Sequence, residues 1–172
     1  MIIIIYQIYD DKTSLVYKLK DISPLVNCNF PDLFILNLRN NLINDLSYLL
    51  FMNLIILDLY YNKILSIHAF SSVNFPKLET LDLCNNLIHD ITPLVYRYGK
   101  RRKILKNIDN NSSIYLSNKS NILSVHDVGV RKKNIVLPNL KILKLKHNKL
   151  NIDEGYLMTI KSLRNRGVTI FK

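Results

Sequence analysis

The feature that most constrains this chain is a leucine spacing that occurs four times. In each copy three leucines follow one another at intervals of three and two residues, and an asparagine comes three residues after the last of them, giving L-x-x-L-x-L-x-x-N-x-(I/L). The copies begin at Leu33, Leu54, Leu78 and Leu140, so their starts lie 21, 24 and 62 residues apart. Because the spacing follows neither the period of a strand nor that of a helix, it indicates short structural repeats that stack on one another.

Each part of the pattern has a physical reason in such a stack. The central x-L-x-L-x predicts a short strand whose leucines point to one face, and each coil buries its apolar side only against its neighbours. The asparagine side chain carries two donor hydrogens and an acceptor, so it can satisfy backbone groups that the bend after the strand would leave buried and unpaired. We therefore predict an asparagine ladder made by Asn41, Asn62, Asn86 and Asn148.

The segment after each of the first three asparagines has its own period. Apolar residues there step by three over residues 43–49, 64–70 and 88–94, which predicts a 3₁₀-like return on the side opposite the strands. The same step occurs over residues 19–25, so a zeroth coil with a degenerate strand is predicted, and residues 2–9 are expected to supply an N-terminal edge strand.

The four copies resemble the leucine-rich repeat family in consensus and repeat length. The three-residue return step resembles the short-repeat subclass seen in phosphatase-1 regulatory proteins and U2 spliceosomal A′-type proteins. The resemblance covers roughly residues 19–98 and 137–155. It implies an α/β leucine-rich-repeat solenoid with parallel strands on the concave face, a short 3₁₀ or irregular convex side and a C-terminal helical cap. It also implies protein binding, but not a particular complex, because the fold hosts many roles.

We predict one domain over residues 1–172. Its parts are an N-terminal edge strand with a degenerate repeat (1–29), three repeats (30–98), a basic insertion (99–136), the fourth repeat (137–152) and a C-terminal cap (153–172).

The cap is predicted to be a helix that covers the last exposed core. Asp153 and Glu154 open it, and Leu157, Ile160 and Leu163 form its apolar stripe. Gly167 follows its last turn, as is typical of a helix end.

The insertion between the third and fourth repeats carries much of the basic charge. The formal net charge of the chain is +11, of which residues 1–99 contribute −2, residues 100–133 contribute +7 and residues 134–172 contribute +6. We expect a loop extruded from the solenoid, with the strands before and after it still stacked. Its basic residues form a candidate nucleic-acid or nuclear-import patch, and the alternative is a solvated loop whose charge follows from composition. The patch comprises Lys100, Arg101, Arg102, Lys103, Arg131, Lys132 and Lys133.

The outward strand positions are the candidate partner-binding site, because solenoids of this kind present a concave surface to their partners. In the middle coils Asp58 and Asp82 lie beside Tyr60 and Tyr61, and tyrosine is enriched at interface centres. The alternative is an exposed face without a partner. Cys84 is expected to be an exposed thiol. The candidate residues are Asn37, Arg39, Asp58, Tyr60, Tyr61, Asp82, Cys84, Asn85, Lys144 and Lys146.

No motif predicts catalysis. The four histidines are scattered without metal-ligand spacing, and no glycine-rich phosphate loop or nucleophile–base arrangement is present in the sequence. We therefore expect no enzyme activity, no metal and no cofactor. Two cysteines favour a reducing compartment, and the sequence lacks a convincing signal peptide or membrane span, so we expect an intracellular protein in the cytoplasm or nucleus.

These observations predict a non-catalytic protein–protein interaction module that is a monomer outside its complex. The alternative is an RNA or ribonucleoprotein-associated subunit that uses residues 100–133. A second alternative, a regulatory subunit of a phosphatase or motor complex, rests only on the repeat subclass.

Overall fold

Short strands spaced along the chain form the framework of the computed structural model. The strands are β1 (Ile2–Ile4), β2 (Ile8–Asp10), β3 (Leu15–Tyr17), β4 (Ile35–Asn37), β5 (Ile56–Asp58), β6 (Thr80–Asp82), β7 (Ile142–Lys144) and β8 (Thr169–Phe171). The helices are α1 (Ala69–Ser72) and α2 (Glu154–Asn165), with 3₁₀ turns at Ser23–Asn27 and Thr92–Leu94. The structure describes residues 2–4, 8–10, 15–27, 30–49, 53–72, 75–96 and 135–172.

One parallel sheet joins six of the described strands in the order β1-β4-β5-β6-β7-β8. Equivalent positions of successive repeats are direct partners in it, so Leu36 pairs with Leu57, Leu57 with Leu81, and Leu81 with Leu143. The predicted parallel strands are therefore confirmed. We number the coils by these strands, from the first coil at Leu33 to the fourth at Leu140.

Stacking continues across the long gap between the third and fourth repeats. Strands β6 and β7 pair in the same register as the other strands, although 62 residues separate Thr80 from Ile142. The expectation that the strands before and after the insertion stack on each other is confirmed. The insertion itself, predicted over residues 99–136, lies outside the described residues except for its last two, as do the basic patch residues at 100–103 and 131–133.

The N-terminal edge is shorter than the predicted strand over residues 2–9. Strand β1 supplies it by pairing parallel with β4, whereas β2 turns away and pairs antiparallel with β3. The return segment from Leu19 follows this hairpin, and its Ile22 is buried. The zeroth coil thus has both a strand and a return, with the β2–β3 hairpin inserted between them.

The core is a stack of apolar layers, one from each coil. The inward strand residues and the three-step residues of the returns are essentially inaccessible to solvent, and they form one continuous cluster. Returns differ between coils, since the second uses the short helix α1 and the third uses the 3₁₀ turn Thr92–Leu94. The rings of Phe70 and Phe75 pack 5.4 Å apart, centroid to centroid, where the second coil passes into the third.

The asparagine ladder is present as predicted. In the second coil the Asn62 Nδ2 donates to the carbonyls of Leu38 and Leu59, at 3.0 and 3.1 Å, so it joins its own coil to the one before. Its Oδ1 accepts from the amide of Ile43 at 3.0 Å. Asn86 and Asn148 repeat these contacts one coil further each time, and Asn41 accepts from the amide of Leu19 in the zeroth coil.

The C-terminal cap is the helix α2 followed by β8. Asp153 caps the helix by accepting from the amide of Tyr156 at 2.8 Å. At the other end Gly167 has a φ of +80° and its amide donates to the carbonyl of Arg164, while the amide of Val168 donates to Leu163. These two bonds form a Schellman motif, in which a residue without a Cβ is favoured.

The predicted buried stripe of α2 is partly wrong. Leu157 is 58% exposed, and the residues that face the core are Tyr156, Thr159, Ile160 and Leu163. The helix is rotated from the expected orientation because the large ring of Tyr156 fills the space against the last coil, where its exposed fraction is only a few per cent.

Candidate partner-binding face

The sheet register arranges the outward side chains in columns that run across the coils. The isoleucine column contains Ile35, Ile56, Thr80 and Ile142, and the charged column, two residues further along each strand, contains Asn37, Asp58, Asp82 and Lys144. The backbone ladder continues beyond the strands, since the amide of Tyr61 donates to the carbonyl of Cys84 and that of Asn85 to Lys146. A third column, Arg39, Tyr60, Cys84 and Lys146, is aligned in this way.

The isoleucine column is an apolar stripe on the outward face of the sheet. Its members are half-buried, between the fully buried leucines and the exposed residues of the turns. The sequence-based site did not include them. The signal that could have found them is the recurrence of a branched residue immediately before the central leucine, in "ILN", "ILD", "TLD" and "ILK".

The charged column has a structural role that the sequence prediction missed. The side-chain oxygens of Asn37, Asp58 and Asp82 each accept a hydrogen bond from the amide two residues further on, at 3.0–3.1 Å. This local bond fixes the chain as it leaves the strand, and Asn and Asp are the residues that form it best. The choice of side chain at these positions is therefore explained in part without a partner.

The two carboxylates of the charged column are also paired with basic side chains of the same face. Asp58 lies 3.1 Å from the Arg39 guanidinium, and Asp82 lies 3.1 Å from the Lys144 ammonium. Asp82 is buried, with an exposed fraction of 5%. Burial raises the pKa of Asp58, and this effect outweighs the opposing influence of the Tyr60 amide and Arg39. The centre of the face is thus close to neutral.

The tyrosine cluster, which we define as Tyr60, Tyr61, Arg39 and Lys18, lies beside these pairs. The guanidinium carbon of Arg39 is 4.3 Å from the Tyr60 ring centroid, and the Lys18 ammonium is 5.8 Å from that of Tyr61. The two rings are 6.1 Å apart. Tyr61 is 50% exposed, so the predicted aromatic surface of the second coil is open to solvent.

Tyr61 also has an unusual backbone conformation for its residue type. Each of the first to fourth coils has a left-handed residue at this position, with φ between +55° and +57°, because the chain bends there to turn the ladder asparagine inward. The other coils use Asn40, Asn85 and His147, which are types that tolerate this region. A tyrosine is disfavoured there, since its Cβ and ring crowd the backbone.

The C-terminal half of the face has a different character. Cys84 was expected to be exposed, but it is buried, with an exposed fraction of 7%. Its neighbours in the third column, Tyr60 and Lys146 on the adjacent coils, both have longer side chains. Burial, followed by the nearby Asp82 carboxylate, raises the pKa of the Cys84 thiol to about 11. Asn85 is half-buried, and the Lys146 side chain is exposed.

A second series of turn-forming residues lies on the return side. The carboxylates of Asp21, Asp45 and Asp90 accept from the amides of Ser23, Ser47 and Thr92 at 2.7–2.8 Å. The signal for this series is the recurring Asp-x-Ser/Thr. Because these bonds are local and repeat in three coils, they mark turns rather than a site.

Among the described side chains, no group of three or more His, Cys, Asp or Glu is arranged to hold a metal ion. No helix in the described ranges has the length and apolar character needed to cross a bilayer.

Comparison with known proteins agrees with this architecture. Residues 53–96 match the model of leucine-rich repeats in two copies. The crystal structure of an internalin (InlF) from Listeria monocytogenes matches the fold with a TM-score of 0.54 and 21% sequence identity, covering 91% of this chain. The chain spans about a third of that internalin, 32% of its length. No curated protein shows significant sequence similarity. The second and third coils therefore match leucine-rich repeats in sequence, and the chain has the fold of a leucine-rich-repeat solenoid.

Proposed function

We propose that this chain is a non-catalytic protein-interaction module that binds a protein partner on the concave face of its sheet. The observation that carries the proposal is the combination of the isoleucine column with the tyrosine cluster on one outward surface. Interface centres combine desolvated apolar side chains with aromatic anchors and are depleted of unpaired charge. The ion pairs Arg39–Asp58 and Lys144–Asp82 meet the last condition, because each carboxylate already has a cation.

The ten predicted site residues contribute unequally to this proposal. Tyr60 and Tyr61 are its centre, with Arg39 and Lys144 holding the carboxylates in place. Asp82 and Cys84 are buried and shape the surface from beneath, so we assign them no direct contact. The remaining members lie around the tyrosine cluster or at the C-terminal edge, and these are Asn37, Asp58, Asn85 and Lys146.

Site-specific cross-linking tests the proposal. A benzophenone analogue of phenylalanine replaces Tyr61 in one variant and Tyr48 in the other, and both are irradiated in cells that express the chain. Tyr48 is a matched control, since it is an aromatic residue, 40% exposed, on the return side. We expect a discrete cross-linked protein from position 61 but not from 48. Equal cross-linking from both positions, or none from position 61, contradicts a concave binding face.

RNA association remains a second proposal that rests on sequence charge alone. The basic patch at residues 100–103 and 131–133 motivates it, and salt-dependent binding to RNA with and without residues 100–133 tests it. Absence of binding at low salt would remove it. A role as a regulatory subunit of a phosphatase or motor complex has no support beyond the repeat subclass.

A further inference from the structure

The charges of the concave face have an arrangement that indicates what kind of partner it fits. Among the residues that the structure describes, this face is bordered by two carboxylates and by four basic side chains, those of Arg39, Lys144, Lys146 and Lys18. Both carboxylates form ion pairs, Asp58 with Arg39 and Asp82 with Lys144. Lys18 and Lys146 have no ion pair among the described residues, so this part of the structure gives the face a neutral centre and, toward each end, a cation without a carboxylate partner.

The isoleucine column and the line from Lys18 to Lys146 both run along the stacking direction of the coils. The isoleucine column crosses the neutral centre. Lys18 precedes Leu19, whose amide and carbonyl join the zeroth coil to the first, and Lys146 belongs to the fourth coil. Four coil spacings separate their backbones, which is about 19 Å along the stack at the usual distance between strands, and the Lys18 ammonium reaches toward Tyr61 in the second coil. An extended segment of about six residues covers that length.

Tyr61 has an unfavourable backbone conformation that packing in the core does not compensate. Its left-handed φ of +55° is one that Asn and His satisfy more easily in the other coils, and its ring is half exposed rather than packed in the core. Unfavourable backbone conformations persist at functional sites when the side chain they present is needed there. The ring contributes an exposed aromatic surface beside the Lys18 ammonium.

We propose that the concave face binds an acidic protein segment, with an apolar or aromatic side chain seated on Tyr61 and the isoleucine column and with carboxylates directed to Lys18 and Lys146. This inference rests on the proposed function and specifies its partner. Charge complementarity excludes basic segments as the occupant. The isoleucine column favours protein over nucleic acid, because aliphatic side chains offer no hydrogen bond or charge to the phosphates that dominate nucleic-acid binding.

Selection from a phage-displayed library of random 16-residue peptides, with the full chain as bait, tests the inference. We expect enriched peptides to carry Asp or Glu on either side of an apolar or aromatic centre. Their affinities are then measured by fluorescence anisotropy, alongside a 20-nucleotide poly(U) RNA. Tyr61→Asn is expected to weaken peptide binding about tenfold or more, while the thermal unfolding temperature stays unchanged or rises.

Matched variants separate the contributions. Tyr48→Asn removes an equally exposed tyrosine from the return side and is expected to leave affinity unchanged. Lys18→Gln and Lys146→Gln are each expected to weaken binding about two- to fivefold at low salt, and Lys161→Gln, an exposed position on α2, is expected to have no effect.

The outcomes distinguish the inference from the function on which it rests. Enriched peptides without acidic residues overturn the acidic partner. Peptide binding that Ile56→Lys abolishes but Tyr61→Asn leaves unchanged overturns the seat on Tyr61. Either result leaves a concave protein-binding face in place. Poly(U) RNA that displaces the peptides and binds more tightly than they do overturns the inference in favour of nucleic acid. Failure to enrich any peptide contradicts both proposals.

Discussion

Replacing Asn62 by alanine should destabilise the solenoid more than its size suggests. The side chain is buried, with an exposed fraction of 4%, and it serves backbone groups of two coils. Its loss removes the acceptor of the Ile43 amide at 3.0 Å and the donor to the carbonyls of Leu38 and Leu59. The variant therefore tests whether the ladder asparagine is required by the backbone or only by packing.

The magnitude follows from which groups lose every partner. The Leu38 carbonyl keeps its bond from Asn41 and the Leu59 carbonyl keeps its bond from Asn86, both at 3.0 Å. Only the Ile43 amide is left buried without its bond, which costs about 1–3 kcal/mol. Weaker satisfaction of the two carbonyls adds about 1 kcal/mol. We expect the free energy of unfolding to fall by about 2–4 kcal/mol in total.

Urea unfolding followed by circular dichroism measures this change. Asn44→Ala is the control, because Asn44 is an exposed asparagine on the return of the preceding coil, and its effect should lie within about 0.5 kcal/mol. Hydrogen exchange should show faster exchange at the Ile43 amide in the Asn62 variant. A loss no larger than that of the control, or unchanged protection of Ile43, refutes the argument that the ladder exists to satisfy buried backbone groups.

Three further predictions concern the cap and the concave face. Gly167→Ala should lower the free energy of unfolding by about 1–2 kcal/mol, because alanine resists a φ of +80°, and a change below about 0.3 kcal/mol in urea unfolding contradicts it. Alkylation of Cys84 by iodoacetamide at pH 8 should be about a hundredfold slower in the folded than in the urea-unfolded chain, because folding raises the pKa of the thiol to about 11. Mass spectrometry of the peptide that contains Cys84 measures the two rates, and similar rates count against burial of the thiol. Asp58→Asn keeps a side-chain oxygen that accepts from the Tyr60 amide, as the Asn37 side chain does for the Arg39 amide one coil earlier. The free energy of unfolding of this variant at pH 7 should therefore be within about 1 kcal/mol of that of the wild type. Because folding raises the pKa of Asp58, the wild type should gain stability relative to that variant as pH falls through the raised pKa, and urea unfolding at pH 7 and pH 4 measures the sign.

Repetition made the fold predictable from the sequence. A leucine such as Leu81 occupies an inward position that packs against the equivalent leucines of the coils on either side. Aligning the four copies therefore predicts the strand register, the core residues and the asparagine ladder together. The orientation of α2 was not predictable in the same way. It occurs once, and its rotation depends on whether Tyr156 or Leu157 fits the last coil, which is a matter of packing volume rather than period.

The candidate site was predictable as a surface but not in its internal contacts. The column containing Asp82 and Lys144 already places opposite charges on adjacent strands, and their ion pair follows directly from that register. The Arg39–Asp58 pair was less accessible to sequence reasoning, since it joins different columns of neighbouring coils. Burial of Cys84 depends on the lengths of the flanking side chains, which a list of outward positions does not convey.

A position at which one coil departs from the repeat carries more functional information than a position at which all four coils agree. The reason is that the other three coils show which residue types the fold requires at that position. The left-handed position illustrates this, since Asn40, Asn85 and His147 show that a small or tolerant residue suffices for the bend, and Tyr61 exceeds that requirement at a cost. Leu137, at φ +49°, is a useful contrast, because it is buried and its carbonyl accepts a hydrogen bond from the Arg166 guanidinium, so packing accounts for it. Core packing gives Tyr61 no comparable compensation, as half of the side chain faces solvent. The same comparison, coil against coil, therefore separates a residue that the solenoid requires from one that its partner requires.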